Sequence, residues 1–397
     1  MYLELVVSIA IVKLVLSAVV PPSFELRDIF SMATGAMAGG PWSFLEAFMI
    51  QIWLAVTHAN VVPANWWALP PLSMPFDVRL LLLLLRLPVI ASDIAILTVL
   101  HYTVSLSWSA ERARLVGLLW FLNPFAFLAG GLLAVPDVVV VLCTLVAFLL
   151  ILRGRVVFSS LALGLGVALK LYPILLVPAF LVFTESKPRH ARIVTASMIV
   201  LPLLGLGGYL GWVMPQGFSA AALLNYDPIS QPITGLVSNI PGSLVSFESI
   251  VLMILYYVTF TFAKGKRIAL NNLILPIFLI AYTFSDPYAQ YFVWAMPFLA
   301  LDAGVGDRRR RIEFVTLLLF LLGVWFLVSG GFLTPSGYSF LLFPLEGQNL
   351  PGYAVAIGSF LSGQFGGYVL LLLLQAGLHG MTLIYSLEVF RGWFNAG

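Results

Sequence analysis

A few acidic and basic side chains stand in a chain that otherwise has little use for charge. Glu25 and Asp28 occur in the segment Ser-Phe-Glu-Leu-Arg-Asp-Ile-Phe. They are three apart, so on a helical turn they share a face. Two close carboxylates disfavour each other's ionisation, which suits one of them to take a proton near neutral pH. The plainer alternative is a solvated turn. Lys170 lies in Gly-Val-Ala-Leu-Lys-Leu-Tyr-Pro, between two apolar runs. An ammonium near a bilayer is costly and marks a site by default. A fixed cation there suits a phosphate, which lysine binds as a point charge. Its alternative is snorkelling to the surface. Arg79 and Arg86 are seven apart, two turns of one helix, and share a face.

Three further acids have structural readings beside the functional ones. Asp93, in Val-Ile-Ala-Ser-Asp-Ile-Ala, continues the Arg79–Arg86 stripe and reads as a structural acid paired with a cation or polar cluster. Asp137, after Ala-Val-Pro, and Asp286, in Phe-Ser-Asp-Pro-Tyr, both stand at helix starts, where an acid also serves as a cap. Gln290, Tyr291 and Trp294 follow on one helix face. For these aromatics the alternative is the interfacial belt of a membrane protein.

The elements that must position these residues are helices in a bilayer. The chain is 61% hydrophobic and 9% charged, whereas a soluble domain carries roughly 25% charged residues. In lipid every backbone polar group must be satisfied within a helix or a closed barrel. The apolar stretches run about 15–25 residues, as helices require, and do not alternate as barrel strands would. The expected fold is therefore all-α, a polytopic transmembrane bundle of about a dozen spans. The spans read as residues 1–20, 79–107, 114–133, 136–152, 156–169, 172–183, 193–213, 248–263, 268–284, 288–301, 312–332 and 367–388. Residues 1–20 lack a basic leader and a small-residue cleavage site, so they read as a retained first span. Residues 156–169 and 172–183 are short and read as tilted or half-depth helices meeting at 170–173; residues 44–56 read as interfacial.

Charge then sets the orientation. Arg112, Arg114, Arg153, Arg155, Lys187, Arg189, Arg192, Lys264, Lys266, Arg267, Arg308, Arg309, Arg310, Arg311 and Arg391 all fall in loops on one side. By the positive-inside rule that side is cytoplasmic, and so are both termini. Arg27, Arg79, Arg86 and Lys170 map to the opposite half; Lys13 lies within the first span. Loops 21–78, 214–247 and 333–366 also map outside and are rich in Pro, Gly, Trp and Tyr. Function is expected on that outer face, in loops held by a helical frame. Residues 1–304 read as a transmembrane module carrying the site, and residues 305–397 as further helices with one external loop.

Several chemistries are set aside. The basic residues do not gather on one face, as nucleic-acid binders require. Cys143 is the single cysteine, which allows no internal disulfide. Zinc-site, phosphate-loop and nucleophile-elbow patterns are all missing from the sequence.

Taken together, five stretches resemble the GT-C superfamily of membrane glycosyltransferases. They are the first external loop with Arg27-Asp28, the run from Arg86 to Asp93, Asn123-Pro-Phe followed by Gly130-Gly131 and Pro136-Asp137, the run from Ala168 to Pro173, and the run from Gln290 to Trp294. The last two are most similar to the dolichyl-phosphate-mannose-dependent mannosyltransferases, including the type that adds the first mannose of GPI anchors and its prokaryotic relatives. The resemblance covers roughly residues 1–300; many relatives carry adjacent acids or Asp-x-Asp where this chain has Glu-x-x-Asp.

The resemblance implies an inverting glycosyltransferase. Its donor is a sugar, with mannose expected, on a polyprenyl or dolichyl phosphate, and its acceptor is a hydroxyl of a lipid or glycan. Asp28 is the expected base, aided by Glu25. Lys170 with Arg86 or Arg79 would hold the donor phosphate, and Asp137, Tyr172, Asp286, Gln290 and Tyr291 would contact donor or acceptor. No cofactor is required and no metal is predicted. The expected location is a prokaryotic plasma membrane, or the endoplasmic reticulum membrane of a eukaryote. A transporter or lipid-linked-sugar flippase also places charges in membrane clefts, though the sequence lacks the repeated halves common in transporters. A structural subunit of a membrane complex is the third class.

Overall fold

Apolar runs punctuated by Pro, Gly and short basic loops fold as helices in the computed structural model. It describes residues 2–19, 41–58, 75–127, 129–130, 135–185, 191–213, 270–284 and 292–329, with isolated helical positions at 377, 380, 381, 384 and 388. The described residues form helices and turns and contain no strand. In chain order the helices are α1 (Tyr2–Val19), α2 (Pro41–Thr57), α3 (Phe76–Ser105), α4 (Ala110–Phe121), α5 (Pro124–Phe127), α6 (Asp137–Leu152) and α7 (Val156–Leu169). A 3₁₀ turn (Tyr172–Leu176) follows, then α8 (Val177–Glu185), α9 (Ala191–Val213), α10 (Leu270–Phe284), α11 (Met296–Val305) and α12 (Arg308–Ser329).

α3 is the axis of the bundle. Its 30 residues span about 45 Å at 1.5 Å per residue. Pro88 lies inside it, and Ser92 donates its hydroxyl to the Pro88 carbonyl at 2.8 Å. α1, α2, α4, α6 and α11 all pack on α3. Trp53 of α2 is fully buried among Val78, Leu81, Leu82 and Leu85, and its indole N–H donates to the Asp77 carbonyl at 2.6 Å. α6 and α7 form a hairpin that turns at Gly154, whose φ of 73° is reached readily only by glycine. α7 then lies against α9 at a glycine crossing: a Cβ on Gly205 would stand 2.1 Å from the Gly164 carbonyl oxygen.

Two expected spans are corrected. Residues 114–133 read as one helix, but α4 ends at Phe121. The Asn123 side chain turns back to accept from the Phe125 amide at 2.8 Å, which starts the short α5 at Pro124. Residues 288–301 also read as continuous, yet 293–295 are a turn and α11 begins at Met296, with Pro297 in its first turn. Residues 156–169 match α7, and the break at 170–173 is present. Expected spans 248–263 and most of 367–388 lie outside the described residues.

The core of the described bundle is mainly apolar with a few polar side chains inside it, and further apolar side chains lie on the outside. Lys13, Arg86, Asp93, Asn123 and Asp137 are buried. Val157, Phe158, Leu161 and Leu165 of α7 are exposed at helical spacing, as are Ile199, Val200, Leu203 and Leu204 of α9 and Ile312, Val315 and Leu319 of α12. Among the described residues, α3 is the one helix long and apolar enough to cross a membrane by itself, and eight shorter apolar helical stretches accompany it.

Candidate functional site

The α6–α7 hairpin brings the start of one helix beside the end of the other. Asp137 is the first residue of α6 and Lys170 follows the last residue of α7. Lys170 leaves the helix in an extended conformation, at φ −156° and ψ 142°, while its amide still donates to the Gly166 carbonyl. The spot is tight: a Cβ on Gly166 would meet Cys143 and Pro173 at 3.4 Å. Pro173 stiffens the 3₁₀ turn that follows, so the extended residue is held between two fixed segments.

From this break the Lys170 ammonium reaches the Asp137 carboxylate at 2.5 Å. The other Asp137 oxygen accepts from the Trp294 indole N–H at 2.6 Å. The Trp294 ring stacks on Tyr172, with centroids 3.8 Å apart and planes 12° from parallel. Tyr172 meets Phe278 edge-on, and Phe278 packs on Phe298, so an aromatic column ties the site to the core. The Asp137 side chain is 0% exposed but Lys170 is 25% exposed. The cluster thus has one face closed and one open. It offers a cation held in place and a carboxylate with two charge-assisted partners, backed by a buried aromatic stack. The ammonium suits a phosphate oxygen, while the buried Tyr172–Trp294 stack holds the indole N–H against Asp137.

Asp137 therefore does not cap α6. Pro136 occupies the N-cap and gives no side-chain cap bond, while both Asp137 oxygens face side chains from elsewhere. Lys170, Asp137 and Tyr172 come together as site residues. Trp294 joins them, although its sequence context fits an interfacial belt equally well. Asp28, Glu25, Asp286, Gln290 and Tyr291 lie outside the described residues.

A second cluster of the same composition lies deeper. The Lys13 ammonium pairs with Asp93, and the Trp120 indole N–H donates to the other Asp93 oxygen at 3.0 Å. Lys13 also sits over the Phe121 and Phe127 rings, 4.4 and 5.6 Å from their centroids. Lys13 is 1% and Asp93 0% exposed. Asp93 is structural, as expected, but its cation is Lys13 of α1 and not a member of its own Arg79–Arg86 stripe. Arg79 is half-buried near the start of α3, and Arg86 is fully buried.

No family model matches the chain, and no curated protein or solved structure matches it either. The chemistry of the site rests on its own geometry. Among the described residues, no three His, Cys, Asp or Glu side chains gather as a metal ion would need. Sequence reasoning gave no partner to Lys13, did not single out Trp120, and named Trp294 without a role. Lys13 carried a signal, since a lysine inside an apolar run needs a partner. Its partner is 80 residues away, where no local pattern points.

Proposed function

We propose that this chain is an inverting membrane glycosyltransferase that moves a sugar, with mannose the expected one, from a polyprenyl phosphate to an acceptor hydroxyl. The observation that carries the reading is Lys170. Its ammonium stands at a helix break with a quarter of the side chain exposed, beside a buried carboxylate and a stacked Tyr172–Trp294 pair. Snorkelling accounts for the residue less well, because its ammonium turns onto buried Asp137.

The bundle is read as spanning the bilayer about a dozen times with both termini cytoplasmic. The exposed apolar stripes on α7, α9 and α12 support lipid-facing sides, and the few charges inside the apolar core fit a membrane bundle that keeps such groups away from lipid. Arg153 and Arg155 lie at the opposite end of the α6–α7 hairpin from Lys170. That separation supports a site on the face away from the basic loops.

In the proposed reaction the acceptor oxygen attacks the anomeric carbon, and the bond from that carbon to the phosphate oxygen breaks. The acceptor proton passes to Asp28, aided by Glu25. The phosphate leaves as a polyprenyl monoester carrying one more negative charge. Lys170 opposes that growing charge, the role in which fixed cations contribute most to catalysis. Arg79 is the better second cation, because fully buried Arg86 would have to leave its packing to reach a ligand.

The direct test is transfer from radiolabelled polyprenyl-phosphate mannose to lipid or glycan acceptors in membranes containing the chain. Transfer is expected, and Asp28→Asn should slow it by about 10²–10⁴-fold, the usual worth of a general base. Transfer at the parental rate by Asp28→Asn would remove Asp28 from the mechanism. Failure with every polyprenyl-phosphate hexose, in membranes where the chain is folded, would end the glycosyltransferase reading.

A further inference from the structure

Lys170 and Asp137 are bound to each other at the position where a phosphate is read to bind. An arriving phosphate meets a cation already neutralised and a carboxylate of its own sign a few ångströms away. The ammonium has three N–H donors, so the phosphate competes with Asp137 for its charge and gains most from Lys170 when Asp137 lets go. The carboxylate is equipped for that loss, since its second oxygen keeps the Trp294 indole N–H at 2.6 Å. Trp294 is in turn fixed by its stack on Tyr172. Lys170 is equipped to move, with a quarter of its side chain exposed and a flexible four-carbon stem on an extended backbone.

Resting on the reading of Lys170 as the phosphate-binding cation, we propose that Asp137 is an exchange partner for the phosphate group of a polyprenyl monophosphate. It yields Lys170 when the phosphate enters and reclaims it when the phosphate leaves. Asp137 thereby weakens phosphate binding and speeds release of the charged product. Trp294 sets the balance, because its N–H stabilises the carboxylate while Lys170 is away. The sealed Lys13–Asp93–Trp120 cluster has the same groups but no exposed cation, so it has no such exchange.

The experiment measures binding of farnesyl phosphate to the purified full chain in detergent by isothermal titration calorimetry. Inorganic phosphate and farnesol serve as parallel ligands. Asp137→Asn should bind farnesyl phosphate about tenfold tighter than the parent, since a competing like charge beside the site is removed. Inorganic phosphate should show the same gain at lower affinity, and farnesol none. Adding Lys170→Ala to Asp137→Asn should abolish the gain. Unchanged or weaker binding by folded Asp137→Asn overturns the exchange, as does an equal gain with farnesol, which would mean a loosened apolar pocket. If Asp137→Asn does not fold, Trp294→Phe decides with the opposite sign. It keeps a ring for Tyr172 but deprives Asp137 of its second partner, so farnesyl phosphate should bind several-fold more weakly, and equal or tighter binding overturns the proposal. A parent chain that does not bind farnesyl phosphate overturns both the exchange and the reading beneath it. Parental binding without the variant effects overturns the exchange alone.

Discussion

Lys13, Asp93 and Trp120 make one charged cluster; Lys170, Asp137 and Trp294 make another. In each, a lysine and an indole N–H share the two oxygens of a buried aspartate. Their settings differ. The first joins α1, α3 and α4, with its lysine covered by Phe121 and Phe127. The second gathers residues from the start of α6, the break after α7 and the turn before α11, and its lysine reaches solvent. Identical groups therefore differ in exposure according to the elements that carry them. Two helix interiors and the end of a third close the first cluster, whereas two helix ends and a turn leave the second partly open.

The comparison can be broken first by stability. Lys13→Ala leaves Asp93 buried without its cation, a change that typically costs about 3–5 kcal/mol. Lys170→Ala removes a cation that is itself a quarter exposed, so water can follow into the vacated space beside buried Asp137, and the loss should be smaller, about 1–3 kcal/mol. Denaturation in detergent followed by circular dichroism measures both. Equal losses would mean the two clusters are both braces. Charge removal in pairs is the next smaller effect. Lys13→Met combined with Asp93→Leu replaces a buried ion pair by apolar groups, and should recover part of what Lys13→Ala loses, the Trp120 N–H being left without its acceptor. A double variant no more stable than Lys13→Ala would show that the pair specifies more than packing. The smallest difference concerns the indoles. Trp120→Phe removes a hydrogen bond to a sealed carboxylate and should cost about 1.5–3 kcal/mol, with Trp294→Phe costing less because the lysine that remains on Asp137 is partly exposed and water can reach the pair through it. The same melts decide, and the reverse order would contradict the assignment of open and sealed clusters.

Much of the frame was legible because it depends on local pattern. Residues 156–169 form an apolar run between Arg155 and Lys170, and α7 occupies that range. The Lys-Leu-Tyr-Pro sequence signalled a break, since proline restricts the residue before it and cannot donate its own amide. The break at Asn123 was less visible, because it depends on one side chain folding back onto the Phe125 amide. The partner of Asp93 was not legible at all. Arg86 shares its helix face, but seven residues lie about 10 Å apart along the axis, too far for a direct ion pair. The cation comes from α1, through tertiary packing that no spacing rule encodes. For the same reason Asp137 looked like a cap. Its carboxylate is claimed by Lys170 and Trp294, 33 and 157 residues away.

Donor kinetics of Lys170→Ala test the central claim most directly. With radiolabelled polyprenyl-phosphate mannose and chain verified as folded, kcat/KM for the donor should fall by about 10²-fold or more, the scale expected when a preorganised charge is removed from a developing anion. Lys170→Arg should restore only part of it, because a planar guanidinium does not replace a compact ammonium. Donor kinetics in folded Lys170→Ala equal to those of the parent would contradict the account and leave Lys170 as a membrane-surface lysine paired with Asp137.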